Sequence, residues 1–249
     1  MAKPTTRWVC TECETTASGW FGKCPSCGAW NTIEQRSEGA TPTDRVVLSS
    51  GVAAPVAADA SIEEAPRKTT GVGEVDRVLG GGLVAGSVVL VGGPPGIGKS
   101  TLLLQVGAGV AAQHGAVLYA SGEESIAQVG ARAKRLAAAH ERLLLLAETR
   151  IEAILNAARE LSLAGELAAI VVDSIQTVYS DAADGLPGNV TQIRASAAQL
   201  VSFAKLHGVP VVLVGHVTKD GQLAGPRVLE HLVDAVLSFD GDDERALRL

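Results

Sequence analysis

Aromatic residues are scarce in this sequence, only 3% of its 249 residues, so aliphatic side chains must fill any core. No apolar run approaches the roughly 18 residues of a membrane-crossing helix. The opening residues, MAKPTTRWVC, lack the apolar stretch of a secretory signal. A cytoplasmic protein without a membrane partner is the expectation. Positive charge is also short, with 21 Lys and Arg against 27 Asp and Glu and a net charge of −6. A chain of this balance meets a polyanion only through a local basic patch, because its overall field is repulsive. With 47% hydrophobic and 19% charged residues, it is not a disordered polymer.

Cysteine is confined to two pairs, Cys10-x-x-Cys13 and Cys24-x-x-Cys27. Each C-x-x-C sets two thiolates on one tight turn, and two such turns make a tetrahedral four-sulfur site suited to Zn²⁺. Two disulfides or an iron–sulfur role are the alternatives, and the lack of a secretory leader argues against the disulfides. Gly19 and Gly22 let the intervening chain fold back. A module this small, residues 1–36, needs the metal for most of its stability. Trp8, Trp20, Phe21 and Trp30 fall within it, either packed over the metal turns or available to a DNA base or partner. Residues 37–66 are rich in small residues, Pro and Ser and read as a flexible linker.

The most specific run is Gly93-Pro94-Pro95-Gly96-Ile97-Gly98-Lys99-Ser100-Thr101, which fits G-x-x-x-x-G-K-[ST]. An apolar strand precedes it and a helical stretch follows, the context this loop requires. Its glycines let backbone N–H groups converge on phosphates, and the helix N-terminus faces the same anion. Lys99 is expected to reach the β- and γ-phosphates, and the Ser100 hydroxyl to ligate Mg²⁺.

From residue 67 to 249 strands and helices alternate. Apolar runs at 88–92, 116–121, 143–147, 168–173 and 209–215 read as strands buried on both faces of a mainly parallel sheet. Helices are expected at 100–113, 124–139, 150–162 and 191–207. Capping boxes are expected at Thr149/Glu152 and Asn189/Gln192, and C-terminal caps at Gly115 and Gly208. The fold class is therefore α/β: a P-loop NTPase core with its sheet between helices, preceded by the four-cysteine module. The nucleotide belongs at the carboxyl ends of the strands. Asp173 ends one strand and suits the carboxylate that holds Mg²⁺. Glu123 and Glu124 follow another; one can take a proton from the attacking water while the other caps a helix, and Glu123 lies nearer the strand tip. His216 ends a third and suits a γ-phosphate sensor, or is structural. The loops 179–189 and 218–226 are candidates for ligand-dependent ordering. No N-K-x-D segment reads guanine. Residues 236–249 read as a hairpin whose second arm has just begun.

The cysteine module ending CPSCGAWNT, then TGVGEVDRVLGGGLVAGSVVLVGGPPGIGKSTLLLQ, LYASGEES, IVVDSIQT and GHVTKDGQLAGPRVLEHLVD, together resemble the bacterial RadA family (also called Sms) of RecA-like DNA-repair and recombination ATPases. The resemblance implies ATP as the nucleotide, Lys99 and Ser100 in phosphate and Mg²⁺ binding, Glu123 as catalytic glutamate, Asp173 as the Walker B acid, and the four cysteines as zinc ligands. It also implies a homo-hexameric ring like that of DnaB-type helicases, acting on single-stranded and branched DNA in branch migration, with a RecA-type recombinase as a partner. Arg194, Lys219 and Arg227 are the candidate DNA contacts, against the reading that they are solvated surface charges. A K-N-R-F-G motif and a Lon-protease-like domain of that family do not occur here. A C-terminally truncated piece with slow ATP turnover and poor assembly is therefore expected. The alternative is a nucleotide-switched ring or scaffold of the KaiC-like kind without motor activity. A third reading makes the cysteine module an adaptor to a protein partner.

Overall fold

The computed structural model describes residues 5–10, 15–17, 22–30, 33–38, 66–216 and 229–239; for 5–9, 16–17, 33–38 and 216 it describes the backbone alone. The chain divides into two compact units, Met1–Val47 and Leu48–Leu249.

The first unit carries β1 (Thr5–Cys10), β2 (Thr16–Ala17) and β3 (Ile33–Glu38), in the antiparallel order β2-β1-β3. Cys10, the last residue of β1, pairs with Ile33 at the start of β3, so the chain re-enters the sheet beside the first cysteine after the segment that carries the second cysteine pair. β3 runs two residues into the segment read as linker, most of which (39–65) lies outside the described residues.

The second unit opens with a short helix, α1 (Gly73–Val78), that the sequence patterns did not announce. There follow β4 (Val88–Gly93), α2 (Lys99–His114), β5 (Ala116–Ser121), α3 (Ile126–Arg135), β6 (Leu143–Ala147), α4 (Ile151–Leu163), β7 (Leu167–Asp173), α5 (Val190–His207), β8 (Val211–His216) and β9 (Ala235–Ser238). The six strands of this sheet lie in the order β6-β5-β7-β8-β4-β9, and every neighbouring pair is parallel. Side chains alternate between its faces. Val88, Leu90, Leu118, Ile170, Val172, Val211 and Leu213 pack with α4 and α5. Val89, Val91, Val117, Tyr119, Val171, Val212 and Val214 pack with α2 and α3. The near-continuous apolar runs follow directly from this burial on both faces. Among the described residues, no helix is long and apolar enough to cross a membrane.

The helices fall close to their expected positions, with instructive differences. α3 begins after Ser125, whose hydroxyl accepts from the Gln128 N–H while the Gln128 side chain accepts from Ser125 N–H, a capping box hidden inside the expected helix 124–139. Ala137, at φ 53°, turns the chain out at the other end. The box expected at Thr149/Glu152 does not form. The Glu148 carboxylate instead accepts from the Thr149 and Arg150 N–H groups at 2.8 and 2.9 Å. Glu152 turns to the 180 loop, which offers it the Ser180 hydroxyl at 2.7 Å and the Asp181 N–H at 3.2 Å. At α5 the Asn189 side chain does accept from Gln192 N–H at 2.8 Å, but the Gln192 amide is spent on the backbone of Ser180 and Ala183. Gly115 and Gly208 take the expected C-terminal positions of α2 and α5. β9 lies parallel beside β4; the second arm of the expected hairpin falls in 240–249, outside the described residues.

Candidate nucleotide site and cysteine cluster

β4, β8, β7 and β5 end side by side, and their carboxyl tips carry the residues singled out above. Gly93 ends β4. A side chain there would come within 2.5 Å of the Phe239 carbonyl oxygen at the end of β9, so this position admits only glycine. Pro94, Pro95 and Gly96 form an exposed turn, and Ile97 and Gly98 lead into α2. Gly98 holds φ at +112°, a backbone state that side chains strongly disfavour. The first residues of α2 are Lys99, Ser100 and Thr101, so their N–H groups are among the donors the helix leaves unpaired at its start.

Lys99 is only 4% exposed. Its ammonium donates to the Gly93 and Pro94 carbonyl oxygens at 2.7 and 2.9 Å, folding the side chain back under its own loop. Burial holds its pKa below the usual lysine value, while Asp173 and then Glu123 pull it upward. Both carboxylates are thus its electrostatic neighbours. Asp173 ends β7, is 8% exposed, and accepts a 2.7 Å hydrogen bond at Oδ2 from the Tyr119 hydroxyl. Burial pushes the Tyr119 phenol upward, and Asp173 adds to the effect.

Glu123 follows β5 and accepts from the Ser174 hydroxyl at 2.8 Å. The Gly122 N–H donates to the Asp173 carbonyl oxygen at 2.9 Å, so the turns after β5 and β7 are tied together. The neighbouring Glu124 is occupied differently: its carboxylate is paired with the Arg132 guanidinium on α3, and its N–H donates to the Ser121 hydroxyl at 3.1 Å. The two adjacent glutamates therefore face different partners. His216, last in β8, is the register partner of Gly93, which sets its backbone beside the loop; its side chain is outside the described residues. Arg194 is exposed in the first turns of α5, the helix that returns from the β7 end of the sheet. Lys219 and Arg227 lie outside the described residues.

In the first unit the sulfurs of Cys10, Cys24 and Cys27 lie within 4.8 Å of one another, and those of Cys10 and Cys27 are 3.7 Å apart. Four thiolates at about 2.3 Å from one zinc ion stand about 3.8 Å apart, so the spacing fits a tetrahedral sulfur site. Backbone bonds from Cys24 N–H to Ala29 O and from Gly28 N–H to Cys24 O close the second turn. Cys13 lies outside the described residues. Trp30 does not pack over that turn; it is 70% exposed, with the Lys23 ammonium 5.6 Å from its ring.

Tyr119, Ser174 and Arg132 are the residues sequence reasoning missed. The one available signal was a lone tyrosine inside an aliphatic strand of a chain with 3% aromatics.

A glycine loop between a parallel strand and a helix, faced by two carboxylates from neighbouring strand tips, defines a P-loop nucleotide-binding domain. The AAA domain family model matches residues 67–222, and the chain belongs to that family. Residues 8–35 match a Rubredoxin metal binding domain. The resemblance to the bacterial RadA family holds over the whole chain. It is 49% identical to the DNA repair protein RadA of Pseudomonas aeruginosa, and 46% identical to those of Bacillus subtilis and Escherichia coli, with 100% of this chain covered each time. The chain spans about half the length of these curated relatives, 54–55%.

Proposed function

We propose that this chain hydrolyses ATP in the service of DNA repair. The observation that carries the reading is the buried Lys99 ammonium, held under the loop 93–98 with Asp173 and Glu123 as its nearest influences. In this reading the loop N–H groups and Lys99 bind the phosphates. Ser100 and Asp173 hold a magnesium ion, which when bound neutralises charge on the β- and γ-phosphates. Glu123 orients and deprotonates the attacking water. Glu124, by contrast, is paired with the Arg132 guanidinium on α3, which makes it the weaker candidate for the base. His216 senses the γ-phosphate from the adjacent strand tip. The cysteines Cys10, Cys13, Cys24 and Cys27 hold zinc in a module tethered by the segment 37–66.

The relatives carry the name DNA repair protein, and the resemblance to their family supports the finer reading: a hexameric ring that binds single-stranded and branched DNA and drives branch migration beside a RecA-type recombinase. Arg194, Lys219 and Arg227 are the proposed contacts to the DNA backbone. Through these contacts, binding to a single-stranded oligonucleotide should fall steeply with salt as counterions are released.

The test is ATP turnover and equilibrium nucleotide binding, each with and without single-stranded DNA. Lys99→Ala should weaken nucleotide binding about 10–100-fold, the worth of lost charge-assisted bonds. Glu123→Gln should keep binding and lower turnover about 10²–10⁴-fold. Unchanged affinity in the first variant removes the phosphate assignment. Loss of turnover in Glu124→Gln but not Glu123→Gln transfers the base by one residue.

A further inference from the structure

We propose that Tyr119 is a positioning residue for the metal-binding carboxylate: its hydroxyl fixes Asp173 so that one oxygen is left for the divalent ion. The inference rests on the reading of Asp173 as a magnesium ligand.

The strand register makes the contact. In the β5–β7 pair, Tyr119 stands opposite Val171 and Ser121 opposite Asp173. Side chains two residues apart share a face, so Asp173 is the diagonal neighbour of Tyr119, one step toward the carboxyl edge, within reach of a long aromatic side chain. Every other buried member of the cluster around Tyr119 is aliphatic. The ring is 1% exposed, so its hydroxyl is remote from water. A buried phenol needs a partner, and Asp173 Oδ2 at 2.7 Å supplies it. The pairing is reciprocal. Asp173 is 8% exposed, and among the described residues Oδ1 has no hydrogen-bond donor. With Oδ2 occupied by the Tyr119 hydroxyl, the carboxylate loses rotational freedom and leaves Oδ1 for the ion. Partners of this kind orient metal ligands, and their removal typically costs 10–100-fold in metal affinity. A phenylalanine at position 119 would fill the core equally well. The hydroxyl is what the packing does not require.

The test is Tyr119→Phe, which deletes one oxygen and keeps the ring. Mn²⁺ binding to the protein–ADP complex is read by electron paramagnetic resonance, per bound nucleotide, so that only folded protein is counted. ADP binding in EDTA provides the fold control. The expected result is an Mn²⁺ dissociation constant raised about 10–100-fold with ADP affinity in EDTA unchanged. The Mg²⁺ concentration for half-maximal turnover should rise in step, while turnover at saturating Mg²⁺ recovers. Val129→Ala, a packing variant in the same cluster, should leave Mn²⁺ affinity as in the unaltered chain. Wild-type Mn²⁺ affinity in Tyr119→Phe, or an equal loss in Val129→Ala, overturns the inference. Asp173→Asn separates the two ideas. If it binds Mn²⁺ normally, Asp173 is not the ligand and the parent reading fails; if it loses the ion while Tyr119→Phe does not, only the role of the hydroxyl fails.

Discussion

The two units of this chain solve the problem of staying folded in opposite ways. In Leu48–Leu249 a six-stranded sheet buries one aliphatic cluster on each face, and strands β4, β5 and β7 are buried at every position. In Met1–Val47 the buried apolar side chains among the described residues are Cys10 and Cys24, two members of the sulfur cluster itself. Among the described residues of the first unit, the buried apolar side chains thus belong to the sulfur cluster itself. The contrast teaches that the second unit does with few aromatics because its strands stack aliphatic side chains in quantity. A three-stranded sheet of short strands cannot, and must be stapled.

The largest effect that tests this contrast is removal of the metal. Structural zinc contributes on the order of 10 kcal/mol to small sulfur-ligated modules. Cys24→Ser, or a strong chelator, should therefore unfold the first unit and leave the second untouched. The chain supplies its own probes. All three tryptophans (Trp8, Trp20, Trp30) lie in the first unit and both tyrosines (Tyr119, Tyr179) in the second. Tryptophan emission should shift to that of a solvated ring and zinc should leave the protein. The far-ultraviolet circular dichroism melt, dominated by the helices of the second unit, should not move. A melt that falls with the metal would break the comparison, because the core would then depend on the module. The converse experiment is Ile170→Ala. Ile170 has no exposed surface and lies in β7, between β5 and β8. Truncation there should cost about 2–5 kcal/mol, seen as a lower melting temperature, with zinc content and tryptophan emission unchanged.

The difference between the units also decides what could be read in advance. Doubly buried strands leave continuous apolar runs, and β4, β5, β7 and β8 were visible for that reason; the edge strand β6, only partly buried, was visible because its run LLLLA is apolar throughout. β9 was not seen as a sheet strand because an edge strand of alternating burial carries half the signal. The strand order was not legible either: it depends on which crossovers pack, a property of no single segment. At the candidate site, the placing of Lys99 after the glycine loop and of Asp173 and Glu123 at or just past strand ends was legible, because the loop motif and the ends of apolar runs mark those positions. Their partners Tyr119 and Ser174 were not, since a hydroxyl facing inward reads like one facing water. Trp30 was expected either to cover the metal turn or to remain available to a base or partner; it stands exposed, with the Lys23 ammonium near its ring.

The smallest effect sharpens the contrast within the core, where a turn rather than burial is at stake. The sequence pointed to Thr149 as the cap of α4, but the helix has no side-chain cap; Glu148 instead braces the turn before it by accepting the Thr149 and Arg150 N–H groups. Those bonds, first from Arg150 and then from Thr149, hold the Glu148 carboxyl below the usual glutamate range. A carboxyl whose pKa is depressed on folding contributes stability above its unfolded value, and that stability is lost as pH falls through the folded value. The contribution should be full at neutral pH and fade only below the ordinary glutamate pKa of about 4.3. Glu148→Ala should cost about 1 kcal/mol at pH 7, the net worth of such hydrogen bonds, while Thr149→Val should cost almost nothing. The Glu148→Ala deficit should shrink as the unaltered chain is acidified. A deficit independent of pH would mean that α4 is held by its buried face alone, with Ile151, Ile154, Leu155 and Ala158 sufficient against the sheet.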